Sequence, residues 1–341
     1  TASNNTAVGY NTLGANTTGV QNTAIGMAAL DANTTSHNNT AIGYLALSAH
    51  TSGDGNNTAL GAQTLQDTTT GGNNLAAGTD ALRANTTGAS NTAFGANALD
   101  SNTTASNNTA VGRLALGANT TGSENTAVGS FALDANTEGL YNTAVGHDAL
   151  GSNTTGDRNC AFGFNTLDDC TTADYNSAFG MNALSASTTG FQNVAVGYNA
   201  LTSLTISGRN TAVGFECLKN TTEAGFNTAV GHSCMQSNTT GSYNVAMGQE
   251  ALTNITTGQH NTAIGYQSLY TVTTANSNTA VGADALDVCT SSGNTAVGRN
   301  ALGANTSGGT NVGIGNGAGG NVTTGSYNTF LNSTGPVSTG N

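Results

Sequence analysis

Five histidines, five cysteines and 18 acidic side chains are the groups in this 341-residue chain that could do chemistry. His37, His50, His147, His232 and His260 are scattered and read as surface decoration. The chain has no H-E-x-x-H, no C-x-x-C and no G-x-S-x-G in a strand–helix setting. The calcium nonapeptide G-G-x-G-x-D is missing as well. Gly315-Asn-Gly317-Ala-Gly-Gly320 matches G-x-G-x-x-G by letter, but no βαβ pattern surrounds it. Five cysteines over this length are no disulfide framework.

What positions these residues is a repeat. Asn-Thr-Ala-Val-Gly at Asn5 returns at Asn22, Asn39, Asn57 and on to Asn328, giving 20 starts. The step is 17 residues, except 18 after Asn39 and 16 after Asn278. The consensus is N-T-A-[VI]-G-x-x-A-L-x-x-N-T-T-G-x-x, and positions below count from its first Asn. Seventeen residues are too few for helix-turn-helix repeats. They fit one coil of a parallel β-solenoid, with Gly at position 5 and usually 15 supplying corners where φ turns positive. The expected architecture is all-β: one solenoid domain over residues 1–332 and a C-terminal tail or cap over 333–341. Twenty coils at ~4.8 Å make a rod of about 96 Å.

Position 4 is always apolar, and position 9 is Leu in 17 of 19 complete coils. Both are expected to point inward, and alternation along a strand then sends position 2 inward with position 4. Leu75, Val194, Val245 and Val312 at position 2 agree with that phase, and Leu204, Ile255, Val272 and Val322 place position 12 at least partly inside. Position 3 is Ala in 18 coils and position 8 is always small. Two readings of this second restricted phase stay open: a surface where another chain approaches closely, or a thin corner of the core. Asn at position 1, present in all 20 coils, suits an amide ladder. Thr at position 13 is either a turn-stabilising hydroxyl ladder or an exposed Thr file.

Placed on this frame, the reactive residues stay apart. His147 and His232 share position 6 but lie five coils apart, roughly 24 Å. Glu216 and Glu250 at position 7 are two coils apart, about 9.6 Å. That spacing is within glycosidase range, but no aromatic groove supports it. Cys217 and Cys234 at position 8 are neighbours whose parallel side chains suit a disulfide poorly, so they read as small buried residues. Cys160, Cys170 and Cys289 stand in Thr or Asn columns. The Asn-Thr-Thr sequons at Asn16, Asn33 and Asn85 follow the repeat, so structure explains them first. No catalytic, cofactor or metal residues are expected, and no enzyme activity.

Composition sets outer limits. Only 7% of residues are charged and 5% aromatic, Trp is absent, and there are 47 Gly and one Pro. That is unlike an ordinary globular core and unlike a disordered chain rich in charge and Pro. A net charge of −12 opposes binding to nucleic acid and to anionic membranes. No apolar run approaches the ~20 residues of a membrane span. The chain starts in mid-pattern at Thr1, which reads as a mature, processed or partial chain.

The pattern Asn125-Thr-Ala-Val-Gly129 with Ala132-Leu133 and Asn136-Thr137 resembles the stalk repeat of phage-type tail fibres. It is also similar to the S-x-A-I-G-like head repeat of trimeric autotransporter adhesins, which forms a left-handed parallel β-roll. The resemblance covers roughly residues 5–332. It implies a homotrimeric, extracellular fibre or adhesin shaft on a cell surface or virion, with any glycan or receptor binding carried by other domains. The adhesin coil is shorter than 17 residues, so handedness and cross-section do not transfer. Two alternatives remain: a self-assembling head-to-tail filament, weakened by Pro336 and the loss of Ala-Leu after Asn328, and an ice-binding solenoid using the position-13 Thr file. Exposed aromatics such as Tyr10, Tyr44, Phe131, Tyr141, Phe164, Tyr198, Phe215 and Tyr243 are expected to form seams between chains rather than glycan contacts.

Overall fold

The computed structural model describes residues 2–334. Over these it is an all-β parallel solenoid of 20 short strands with no helix. Pro336 and most of the expected C-terminal tail lie outside the described residues. Two units are distinguished, Thr1–Tyr175 and Asn176–Asn341. The first carries ten strands from Thr6–Val8 to Cys160–Phe162, and the second ten from Ser177–Phe179 to Thr329–Leu331.

Each strand is positions 2 to 4 of one repeat, and within each unit it pairs in parallel, without shift, with the same positions of the next. Thr126, Ala127 and Val128 face Thr143, Ala144 and Val145 in the first unit. Thr211, Ala212 and Val213 face Thr228, Ala229 and Val230 in the second. The 18- and 16-residue coils keep this register, Thr40 opposite Thr58 and Thr279 opposite Thr295. The odd residue is absorbed away from the strand, because a one-residue slip would turn every strand side chain over.

The interior reverses the expected strand phase. Position 3 is inside: Ala24, Ala127 and Ala229 are fully buried. Positions 2 and 4 point outward, with Ile25 38% and Phe94 60% exposed. The reason is thickness. The corner residues at positions 8 and 9 fill the space behind the strand, Ala132 and Leu133 being fully buried, so only a methyl fits at position 3. The small residues at positions 3 and 8 are therefore a thin core, not an outer surface. Position 12 is inside as expected, Leu204, Ile255 and Val272 being fully buried.

The corner after the strand explains the recurrent Gly. Where Gly stands at position 5, φ runs from +122 to +144°, and a Cβ added at Gly129 would strike the carbonyl of Gly146 in the next coil. Position 15 differs from expectation. No positive φ occurs at Gly88 or Gly139, and Ala105, Ala173, Ala224 and Ala275 fill the same column. Left-handed non-Gly residues stand instead at positions 7, 9 and 17, and the Leu at position 9 takes φ of 49 to 54° wherever it occurs. A left-handed non-Gly residue costs about 1–2 kcal/mol, which burying a Leu, worth about 1.5–3 kcal/mol, offsets.

Two files of buried amides complete the interior. Asn125 at position 1 accepts the Asn142 backbone N–H at 2.8 Å and donates Nδ2 to the Gly139 carbonyl at 2.8 Å. Asn136 at position 12 donates to the same carbonyl at 3.2 Å and to Asn119 Oδ1 at 2.8 Å. Thr137 at position 13 donates its hydroxyl to the Thr154 carbonyl at 3.1 Å. The second unit repeats this at Asn227 to Gly241, Asn238 to Gly241 and Thr239 to Thr256, at 2.9, 2.9 and 3.0 Å. The Thr file at position 13 is thus a hydroxyl ladder, with its hydroxyls spent on backbone.

Candidate functional surface

The strands present a regular outer strip in each unit. Alternation fixes it: with the position-3 Ala inward, the Thr at position 2 and the Val or Ile at position 4 must face out. The strip is in register from coil to coil, and its position-4 side chains include Val8, Ile42, Leu60 and Val128 in the first unit. In the second they include Phe179, Met247, Ile264 and Ile314. None of the charged residues stands at position 2 or 4.

Files of rings flank this strip at position 6. In the second unit Tyr198, Phe215 and His232 stack at 5.2 and 5.1 Å, with interplanar angles of 19° and 6°. In the first, His147 stacks on Phe164 at 5.6 Å and meets Phe131, at position 7 of the preceding coil, edge-on at 5.7 Å. A second file runs along position 17, where Phe226, Tyr243 and His260 stack at 4.8 and 5.1 Å. Cations intercalate: Arg158 sits between Tyr141 and Tyr175, and Arg209 between Phe191 and Phe226. Stacking uses the ring faces and leaves edges to solvent. The stacked rings form ribs along the surface.

Beside the second file lies a groove of about 350 Å³ lined by Phe191, Ile206, Arg209, Glu223, Phe226 and Tyr243 among others. It exists because Gly208 and Gly225 leave position 16 without side chains. Arg209 is held in place by its ring partners and by its Nε donating to Gln192 at 3.1 Å.

The other singled-out residues take structural places. His37 accepts the Val20 backbone N–H through Nδ1 at 3.0 Å, and His147 pairs with Asp148 at 2.7 Å. His50 departs from the expected surface role: it fills position 12 and is fully buried. Its Nε2 lies 2.9 Å from Ser36 Oγ, its Nδ1 has no partner, and burial pushes its pKa down to about 4. The signal was its column, where buried Asn is the rule. Glu216 forms a 2.7 Å pair with Lys219 and accepts Gln236 Nε2 at 2.6 Å, and the Lys219 hydrogen bond holds its carboxyl below the usual value. A carboxylate so stabilised is a poor general acid. Glu250 accepts Gln267 Nε2 at 2.7 Å.

The five cysteines are free thiols, all buried but Cys160. Cys217 donates to the Ala229 carbonyl at 3.2 Å, and its hydrogen bond with Cys234, with burial, keeps it protonated. Burial pushes Cys170 up to about 12. Gly315, Gly317 and Gly319 simply take the three positive-φ places of the corner, positions 5, 7 and 9. Asn33 and Asn85 of the sequons are fully buried and bonded to neighbouring groups. Among the described residues no three His, Cys, Asp or Glu converge as a metal site, and no helix is long and apolar enough to cross a membrane. No protein-family model and no curated protein matches the chain.

Proposed function

We propose that this chain is shaft material: a non-enzymatic structural segment of an extracellular fibre of tail-fibre or adhesin kind, homotrimeric, carried on a cell surface or virion. The supporting observation is the continuity of its side-chain ladders. Within each unit, neighbouring coils are bound by the Asn at position 1 and the Thr at position 13 as well as by backbone, and by the Asn at position 12 where one stands there, as at Asn125, Thr137 and Asn136. A chain stiffened this way holds and spaces other parts. The repeat's resemblance to tail-fibre stalks points the same way. Its partner in this reading is itself.

Sedimentation equilibrium of the purified chain tests the reading. Three times the 33.6 kDa of one chain is the expected mass. A single-chain mass at all concentrations would remove it.

A further inference from the structure

We infer that the outward strand strip is where identical chains meet, so that positions 2 and 4 of neighbouring copies form a second, shared core. The inference rests on the fibre reading and names its contact surface. In α/β folds parallel sheets have both faces covered by crossover helices, and among the described residues there is no helix to cover this one. Here the Ala at position 3 and the Leu at position 9 cover the inner face, and the outer one is bare.

In some strands side-chain volume is exchanged between positions 2 and 4, while Val245 with Met247 is large at both. Where position 4 shrinks to Ala77, position 2 grows to Leu75. Where position 4 grows to Phe162 or Phe179, position 2 shrinks to Cys160 or Ser177. The remaining Phe at position 4, Phe94, lies in register beside Ala77. Side chains facing only water have no reason to conserve volume, whereas packed ones do.

Charge selects the same strip. A chain of net charge −12 repels its copies. Positions 7, 10 and 14 would bring carboxylates such as Asp148, Asp134 and Glu138 together. Positions 2 and 4 hold only Thr, Ser, Cys or apolar residues in all 20 strands. Area suffices too. Ten strands at ~4.8 Å, in a strip roughly 10 Å wide, give about 500 Å² per unit. Three such strips meeting in a trimer bury up to about 1,500 Å² in total per unit, above the ~1,000 Å² a specific interface needs.

The test uses Val128→Glu and Val230→Glu, one in each unit, with Thr121→Glu and Thr240→Glu at position 14 as controls. Glu138 and Glu223 already stand at position 14, so the controls are tolerated. Cys160, at position 2 and the one thiol not fully buried, reports directly through maleimide alkylation. The expected result is an assembled parent with protected Cys160. The two strip variants, with unchanged circular dichroism, drop to single-chain mass and react at least about ten-fold faster at Cys160, and the controls behave as the parent. If the parent assembles with Cys160 freely alkylated, or the strip variants keep the parent's mass, the strip is not the interface and the fibre reading stands. If the parent itself is single-chain, both fall. Protection of Cys160 in the parent decides the question even if a variant fails to fold.

Discussion

His50 interrupts a file of amides with a ring that resists protonation where it sits. Its folded pKa of about 4 lies below the 6.5 of the free side chain, so the unfolded chain binds the proton more readily. Stability is complete above pH 6.5, falls as pH drops from there to about 4, and is flat below. The loss amounts to about 3 kcal/mol. His50→Asn restores the column's usual residue and removes this loss. Denaturant melts of both proteins between pH 7 and pH 4 should converge at the top and separate at the bottom; parallel curves would contradict it. Glycine gives a second contrast. Gly129→Ala forces a Cβ onto the Gly146 carbonyl at a strained φ and should cost about 2–3 kcal/mol. Gly139→Ala also brings a Cβ against the Gly156 carbonyl and Asn136 Oδ1, but at an ordinary φ and in a column that already holds Ala, so it should cost less, about 1 kcal/mol. Equal thermal shifts for the pair would contradict this account of the corner.

At the scale of the coil, the amide file is the element that specifies register. Asn125→Ala removes the acceptor of the Asn142 N–H and a donor to Gly139, both buried. The Gly139 carbonyl keeps Asn136, so leaving the buried Asn142 N–H unpaired should cost about 1–3 kcal/mol. Faster amide exchange should then be confined to coils near residue 125, and an unchanged exchange map would oppose the ladder's role. The repeat, its 17-residue coil and the Asn ladder at position 1 were legible because they recur within one chain. The strand phase was not. Val and Ile at position 4 look like core residues by type, whereas the Ala at position 3 looks too small to be one. Size restriction, not apolarity, marks the strand's inner position, because the position-9 Leu already fills the space behind it. The left-handed backbone of that Leu was equally hidden, since nothing in the residue type announces it. His50 has the chemistry of a surface residue, and only its column, where buried Asn recurs, marks it as interior.

For the whole molecule, uncharged strips on a chain of net charge −12 set how assembly responds to salt. Screening weakens repulsion between copies and leaves apolar burial intact. Association should therefore strengthen as sodium chloride rises from about 0.02 to 0.5 M, the range over which the Debye length shrinks severalfold. Weakening with salt would point to ion pairs between chains. The central claim, a shaft of several chains side by side, is tested most directly by mass per unit length from scanning transmission electron microscopy. One coil, 17 of 341 residues in 33.6 kDa, weighs about 1.7 kDa and advances ~4.8 Å. Three coils per step, about 5 kDa per ~4.8 Å, is the predicted value; one coil per step would contradict it.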